Sequence, residues 1–354
     1  MNGPGPLRVL VVGDPFMPAS AYAEPLARLG DRVDVTSVQI DSVAFPAPRT
    51  ESERTLREYV GDPADIARAV AGQDVLIVHG APVSSQVLDA APLRLVCCAR
   101  GGPVNVDVAA ATARGIPVVN TPGKNAEAVA ELTIAFALLL IRAVPRASRH
   151  LLDGGGFSES VFDGKEFFGR EAASVTLGLV GFGRVGREVA PRARALGFTV
   201  IAYDPQVHDA AAAELVSLDV LLDRSDIVSL HARATAENRH MFSADLFARM
   251  RPGACFINTA RESLVDEAAL SAALAAGTLS GAALDVLERP APGERQPLLD
   301  TPGVFVTPHI GGATEETLNR GARRAVAAVA SLLAGQVPAD VLNPQVLQAG
   351  SVRT

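Results

Sequence analysis

The chain has 354 residues, too many for one ordinary domain, and its 48% hydrophobic and 20% charged content suits a globular protein with large cores. A formal net charge of −7 argues against nucleic acid and anionic membrane as partners. Three cysteines, the adjacent Cys97 and Cys98 and the distant Cys255, make no disulfide framework and point to a reducing cytoplasm.

The opening "MNGPGP" lacks the charged leader and apolar core of a secretory signal. From there apolar, β-branched runs alternate with Ala-rich helical stretches, the pattern of parallel α/β architecture. "LRVLVVG", "VDVTSV", "DVLIVHG", "LRLVCCA" and "IPVVN" read as strands, and "DPADIARAVAG" and "VDVAAATARG" as helices closed by glycine. Asn125 is expected to cap one long helix, "AEAVAELTIAFALLLIRAVPR". Its most apolar run, Leu132 to Ile141, falls short of the roughly 20 residues that span a bilayer and reads as a buried helix, a candidate for packing against a partner subunit. A loop rich in glycine and aromatics follows, then a second strand series: "SVTLGLVG", "TVIAYD", "DIVSLH", "ACFINTA", "LSGAALDV" and "VFVTPH". Two sheet systems are expected. The final helix, "EETLNRGARRAVAAVASLLAGQ", is positioned to run back and complete the first, and the tail after "VPADVLNP" reads as a surface extension.

The second series opens on "GFGRVG". Gly181, Gly183 and Gly186 form G-x-G-x-x-G between a strand and a helix, the context a dinucleotide fingerprint requires. One glycine permits the tight turn, the next lets backbone approach a pyrophosphate, and the third allows close packing of helix on strand. The helix start, at Arg184 and Val185, presents free N–H groups to the phosphates, and Arg184 itself either touches them or is solvated. Asp204 ends the following strand about twenty residues on, where a carboxylate binds ribose hydroxyls and repels a 2′-phosphate. NAD is therefore favoured over NADP, and no metal site is expected.

Taken in order, "GFGRVGREVA", "YDP", "SDIVSLH", "FINTAR", "GAALDV" and "TPHIGGAT" resemble the D-isomer-specific 2-hydroxyacid dehydrogenases, over about Leu7 to Pro344. The resemblance implies two Rossmann-like doubly wound parallel-sheet domains: an NAD-binding domain at 125–313, inserted in a discontinuous substrate domain formed by 1–124 and 314–354. It implies hydride transfer between NAD and C2 of a 2-hydroxy or 2-keto acid, in a homodimer. His309 matches the family's acid–base, a role that suits a group titrating near neutral pH. Arg261 matches the arginine that orients the substrate carboxylate, although Glu262 stands where the family usually has glycine. The family's acid, which holds the histidine, lies in a segment that is one residue shorter here, "DVLERPAPGE". Glu288 is the nearest candidate and Glu294 a distant second. Asp285 matches the partner of the nicotinamide carboxamide, Thr259 and Ala260 the wall beside it, and Gly311 a close backbone approach. His231 matches a residue lining the cofactor pocket, or else caps the sheet. In "CARGGPVNVD" the family's carboxylate-binding loop has its arginine displaced to Arg100, while the amides of Gly101 and Gly102 remain able to cradle an anion. Arg100 and Lys124 either recognise a second charge on the substrate, such as a phosphate, or are solvated or ion-paired. The rival reading is a sensor or corepressor-like protein that binds NAD(H) with little turnover, favoured by the shortened acid segment and Glu262. An NADP-linked glyoxylate or hydroxypyruvate reductase is a third, opposed by Asp204. The substrate itself is not legible.

Overall fold

Apolar runs of four to seven residues flanked by helices produce parallel strands buried on both faces, and a computed structural model of the chain contains two sheets with central strands of this kind and shorter or more exposed strands toward the edges. It describes residues 5–44, 46–156, 165, 167–290 and 293–347. The first four residues, much of the glycine and aromatic loop, and the tail from 348 lie outside the described residues. One sheet joins β1 (Leu7–Gly13), β2 (Val33–Gln39), β3 (Val75–Val78), β4 (Leu95–Cys98) and β5 (Val118–Val119) in the order β2-β1-β3-β4-β5. The other joins β6 (Thr176–Val180), β7 (Thr199–Tyr203), β8 (Glu214–Leu215), β9 (Ile227–Leu230), β10 (Ala254–Asn258), β11 (Leu279–Leu284) and β12 (Val304–Val306) in the order β12-β11-β10-β9-β6-β7-β8. All pairings between these strands are parallel. Only β8 escaped the sequence reading; it is two residues long and pairs with β7 alone.

The chain divides into two compact units, Met1–Lys124 with Thr314–Thr354 (unit 1) and Asn125–Ala313 (unit 2). In unit 1, alternate residues of β1 serve opposite cores. Val9 and Val11 pack with Ile77, Leu95 and the helix Glu315–Leu333 through Ala322, Ala325 and Val329. Leu10 and Val12 pack with Leu76, Val96, Ile66 and Val87 on the other face. The C-terminal segment finishes β5: Val341 bridges Val119, and the Asn343 side chain accepts from Val118 N–H at 2.9 Å and donates to Ile116 O at 2.9 Å.

In unit 2 the helix expected to run unbroken past Ile141 is two helices, Ala126–Ile141 and Val144–Leu152, bent by 68°. Pro145 is the physical cause, since its ring clashes with the preceding turn and it has no N–H to continue the ladder. Ala143, at φ 53°, takes the left-handed turn between them. Asn125 precedes the first helix but makes no side-chain cap bond. The apolar face of that helix, with Ile134, Phe136 and Ala137, packs on Leu177, Leu179 and Ile257. Among the described residues no single helix is long and apolar enough to cross a bilayer, and no three His, Cys, Asp or Glu side chains gather as a metal site would need. Cys97 and Cys98 are fully buried, and burial pushes both thiols up, Cys98 to about 11, so both are inert core residues.

Candidate active site

In unit 2 the chain runs from β6 outward to β7 and β8, then returns to place β9 on the other side of β6. That reversal opens a crevice at the C-terminal ends of β6 and β9, where open α/β sheets bind ligands. The glycine turn lies there. Gly181 has φ 98°, and a Cβ on it would stand 2.6 Å from Ala232 N in the loop after β9. A Cβ on Gly186 would stand 2.6 Å from Gly181 O, so the helix Arg184–Ala195 sits directly on the turn. Around Gly183, by contrast, a Cβ would meet nothing within 4 Å. Two glycines are needed for packing and the middle one faces open space, an arrangement that fits a pyrophosphate against bare backbone. Arg184 is exposed and Val185 half-buried at the helix start. Arg187, which the sequence reading passed over, lies over the Phe182 ring at 5.3 Å.

Asp204 follows β7 and ties it to the turn: Oδ2 accepts from Phe182 N–H at 2.8 Å and Oδ1 from Gln206 N–H at 2.9 Å. His231 follows β9, donates its backbone N–H to Val180 O at 2.7 Å, and sets Nε2 2.9 Å from Ser229 Oγ. Desolvation pushes this ring down to about 4, so His231 is neutral at pH 7 and serves as a hydrogen-bonding group.

Asp285 and His309 follow β11 and β12. Asp285 is buried, and three donors of one loop converge on it. Thr307 Oγ1–H donates to Oδ1 at 2.6 Å, Ile310 N–H to Oδ1 at 2.8 Å, and Gly311 N–H to Oδ2 at 2.8 Å. A Cβ on Gly311 would stand 2.8 Å from Oδ2, which explains the glycine. The carboxylate thus organises the loop that holds His309, exposed and at φ 57°, a conformation uncommon for a side chain other than glycine. After β10, buried Asn258 braces the next turn by accepting from Ala260 N–H at 2.9 Å and donating to Arg261 O at 3.0 Å. Thr259 is buried, its hydroxyl 3.0 Å from that of Thr133. Arg261 is exposed, one guanidinium N–H on Ala260 O at 2.6 Å, and it makes no ion pair among the described residues. Glu262 opens a short 3-10 turn, Glu262–Leu264. The β-strand order therefore strings His309, Asp285, Arg261, His231, the glycine turn and Asp204 along one edge of one sheet.

Glu288 departs from expectation. Its carboxylate stands 3.4 Å from His240 Nε2 and 3.6 Å from Arg239, and no carboxylate among the described residues hydrogen-bonds the His309 ring. The shortened segment is fastened elsewhere. Glu267 Oε1 accepts from Glu288 N–H at 2.6 Å, while Gln296 Nε2 bridges Glu267 Oε2 at 2.6 Å and Glu288 O at 3.0 Å. Glu294 is exposed on the loop beyond.

Unit 1 presents the remaining candidates at the C-terminal edge of its own sheet. Arg100, after β4, is ion-paired with Glu58 and also donates to Glu58 O at 2.9 Å. The amides of Gly101 and Gly102 donate to no group among the described residues, and a Cβ on Gly102 would meet nothing within 4 Å. Lys124 is 5% exposed, its Nζ is without a hydrogen-bond partner among the described residues, and burial pushes it down to about 8. Asp14, after β1, and His79, after β3, form a pair that sequence reading missed, Nδ1 to Oδ2 at 2.9 Å.

These features define a dinucleotide-binding α/β unit joined in one chain to a second α/β unit. A family model described as "D-isomer specific 2-hydroxyacid dehydrogenase, NAD binding domain" matches residues 134–311. The chain is 38% identical over 343 residues to the D-3-phosphoglycerate dehydrogenase of Mycobacterium tuberculosis, covering 95% of this chain and 59% of the relative. It is 38% identical over 261 residues to the hydroxypyruvate reductase of Thermotoga maritima, covering 72% of this chain and 83% of that one. The crystal structure of TT0316 protein from Thermus thermophilus superposes with a TM-score of 0.75 at 32% identity, covering 95% of this chain and all of that one. The chain belongs to the D-isomer specific 2-hydroxyacid dehydrogenase family, and its cofactor is NAD. It spans about three fifths of the length of the mycobacterial relative.

Proposed function

We propose that the chain is an NAD-dependent oxidoreductase that interconverts D-2-hydroxy acids and 2-keto acids, and that its substrate carries a second acidic group, as 3-phosphoglycerate does. The observation that carries this reading is the grip of Asp285 on residues 307–311. Two amides and a hydroxyl hold one exposed histidine in a left-handed conformation that costs on the order of 1 kcal/mol, as befits a side chain aimed at a ligand.

Bound at the glycine turn, NAD supplies the acceptor or donor for the hydride at C2. The protein's own residues do the rest. Gly181, Gly183 and Gly186, with Arg184 and Val185 at the helix start, receive the pyrophosphate, and Asp204 the ribose hydroxyls. His231, Thr259, Ala260, Asp285 and Gly311 border the nicotinamide; with both Asp285 oxygens engaged by the His309 loop, that residue acts by shaping the pocket. His309 takes the proton from the C2 hydroxyl in oxidation and returns it to the C2 oxygen in reduction. Arg261 holds the substrate carboxylate through its planar fork. Within unit 1, the amides of Gly101 and Gly102 and the Lys124 ammonium are the groups open to an anion, Arg100 being ion-paired with Glu58. Glu288, turned to His240, braces the loop between Asp285 and Gln296 and leaves the catalytic proton to His309 alone.

Absorbance of reduced nicotinamide with a panel of 2-keto acids tests the reading. Turnover is expected, and His309→Gln lowers kcat/KM by about 10²–10⁴-fold. Tight NADH binding with no turnover on any acid would sink it and favour a sensor. We further propose a cytoplasmic homodimer, supported by Val144, Leu151, Leu152 and Phe168, large apolar side chains exposed on and beside the helix Val144–Leu152. Sedimentation at micromolar concentration reads this directly, and a monomer refutes it.

A further inference from the structure

In unit 2 the turn that carries Arg261 follows β10 and the loop that carries His309 follows β12, with β11 between them. The segment after β11 reaches both. Its first residue, Asp285, grips the His309 loop with both carboxylate oxygens. Three residues on, Glu288 reaches the other way. Its N–H donates to Glu267 Oε1 at 2.6 Å, and its carbonyl accepts from Gln296 Nε2 at 3.0 Å. The same Gln296 amide donates to Glu267 Oε2 at 2.6 Å, and its Oε1 accepts from Leu298 N–H at 3.2 Å. Both Glu267 oxygens and both ends of the Gln296 amide are therefore engaged.

Glu267 opens the helix Glu267–Ala275, which begins directly beyond the Arg261 turn. The stretch between Arg261 and that helix is pinned. His240 N–H donates to Ser263 O at 2.8 Å, Phe242 N–H to Leu264 O at 3.0 Å, and Asp266 N–H to Phe242 O at 3.0 Å. Residues 240–242 thus lie alongside 263–266, with Phe242 bridging Val265. The Glu288 carboxylate closes the circuit, 3.4 Å from His240 Nε2 and 3.6 Å from an Arg239 nitrogen. These contacts are half-exposed and weak by themselves, but they draw the Glu288 charge away from Glu267. Burial pushes the Glu267 carboxyl up, and the charges of Glu288 and Glu262 add to it. Glu288 therefore holds both flanks of the Arg261 turn, one through its side chain and one through its backbone.

We propose that Glu267, Gln296 and Glu288 are positioning residues for Arg261, and that residues 285–288 act as a strut that sets the arginine in register with His309. Its part in catalysis rests on the dehydrogenase reading above. The strut is short and fixed at both ends. Three residues span at most about 10 Å; Asp285 takes three hydrogen bonds at one end and Glu267 two at the other. A displacement of either loop is carried to its neighbour. The acid of the shortened segment thus acts on the arginine and leaves the histidine alone. A carboxylate beside an imidazole changes the proton's affinity, whereas a network behind a guanidinium changes how firmly the substrate carboxylate is held.

The test uses the full chain in two arms, with Glu267→Ala and, should that variant fail to fold, Gln296→Leu. In the first arm, hydrogen exchange is followed without any ligand. Exchange is expected to quicken by about tenfold or more at residues 259–264 and 307–311 together, and to stay unchanged across β6 and β7. Quickening at the Arg261 turn alone, or everywhere equally, overturns the strut. In the second arm, 2-keto acids are reduced with NADH. KM for the acid is expected to rise about tenfold, the worth of one charge-assisted hydrogen bond, with KM for NADH within about twofold and the pH limbs of kcat unmoved. Glu267→Gln, which keeps an oxygen for the Glu288 N–H, recovers part of the loss. In an Arg261→Ala background the Glu267 substitution should cost nothing further. An equal cost with and without Arg261, or a shifted pH limb, overturns the positioning role. Wild-type turnover with uncoupled exchange overturns this inference and leaves the dehydrogenase reading standing. Coupled exchange in a protein that reduces no acid upholds the strut and overturns that reading instead.

Discussion

The C-terminal edges of the two sheets share a plan and differ in finish. Along unit 2, buried polar groups are matched within the protein: Asp285 with its three loop donors, Asn258 with Ala260 and Arg261, Thr259 with Thr133. Along unit 1, Asp14 is matched as fully, yet Lys124 Nζ and Thr121 Oγ1 are bare among the described residues. An edge whose polar groups satisfy one another is organised to hold its own loops and to present a few exposed groups, here His309 and Arg261. An edge that buries a bare ammonium has been organised around a charge that arrives from outside. The difference teaches that preorganisation and affinity are supplied separately, the first by saturated carboxylates and the second by an unsatisfied cation.

Four experiments break or sharpen the contrast. The largest effect is expected from His309→Gln, about 10²–10⁴-fold in turnover, with NADH still bound as read by nucleotide fluorescence. Next is Asp285→Ala, which strands three donors and is expected to destabilise unit 2 by about 3 kcal/mol or more in denaturant unfolding, lowering activity as the His309 loop loosens. Lys124→Met acts in the opposite sense. Folded Lys124 titrates at about 8 against 10.5 for an ordinary lysine. Between those values the unfolded chain holds the extra proton, so wild-type stability rises as pH climbs from 8 to 10.5, and below 8 the burden is present in full. The variant should therefore be more stable than wild type at pH 7 by about 2–3 kcal/mol, the gap closing by about pH 10.5. The groups that act on this lysine are Cys98, Arg100, Asp14 and His79, so the wild-type-minus-variant difference is the readout. A variant less stable than wild type would mean the ammonium is already paired. The smallest effect on the fold is expected from Gly183→Ala. Its Cβ meets nothing within 4 Å, so unfolding stability should stay within about 0.5 kcal/mol, while NADH affinity falls about tenfold as the methyl enters the pyrophosphate position. An unchanged affinity would move the nucleotide away from this turn.

Much of unit 2 was legible because its signals are contiguous. The glycine spacing, the acid that ends the next strand and the "TPHIGG" loop each occupy one short stretch, and period and punctuation suffice to place them at strand ends. The break at Ala143 was also written in the chain, since Pro145 stands where an unbroken helix could not carry it. What escaped is non-local. Asp14 and His79 are 65 residues apart and meet only because β1 and β3 are neighbours. The direction of Glu288 depends on Glu267 and Gln296, on a helix start and a loop with no shared motif. Arg100 looked available until Glu58, itself at φ 50°, came beside it. Residue type alone could not distinguish a neutralised cation from a bare one, because that depends on partners supplied by topology.

The discontinuity of unit 1 has a consequence for biosynthesis. Its sheet is specified before residue 124, but the helix that closes one core and the asparagine that finishes β5 are translated about two hundred residues later. The inserted unit, continuous from Asn125 to Ala313, can reach its native state on the ribosome while the first half waits with an uncovered apolar face. Chains halted before Glu315 should accordingly yield a protease-resistant fragment corresponding to the insert, with the N-terminal portion degraded around it.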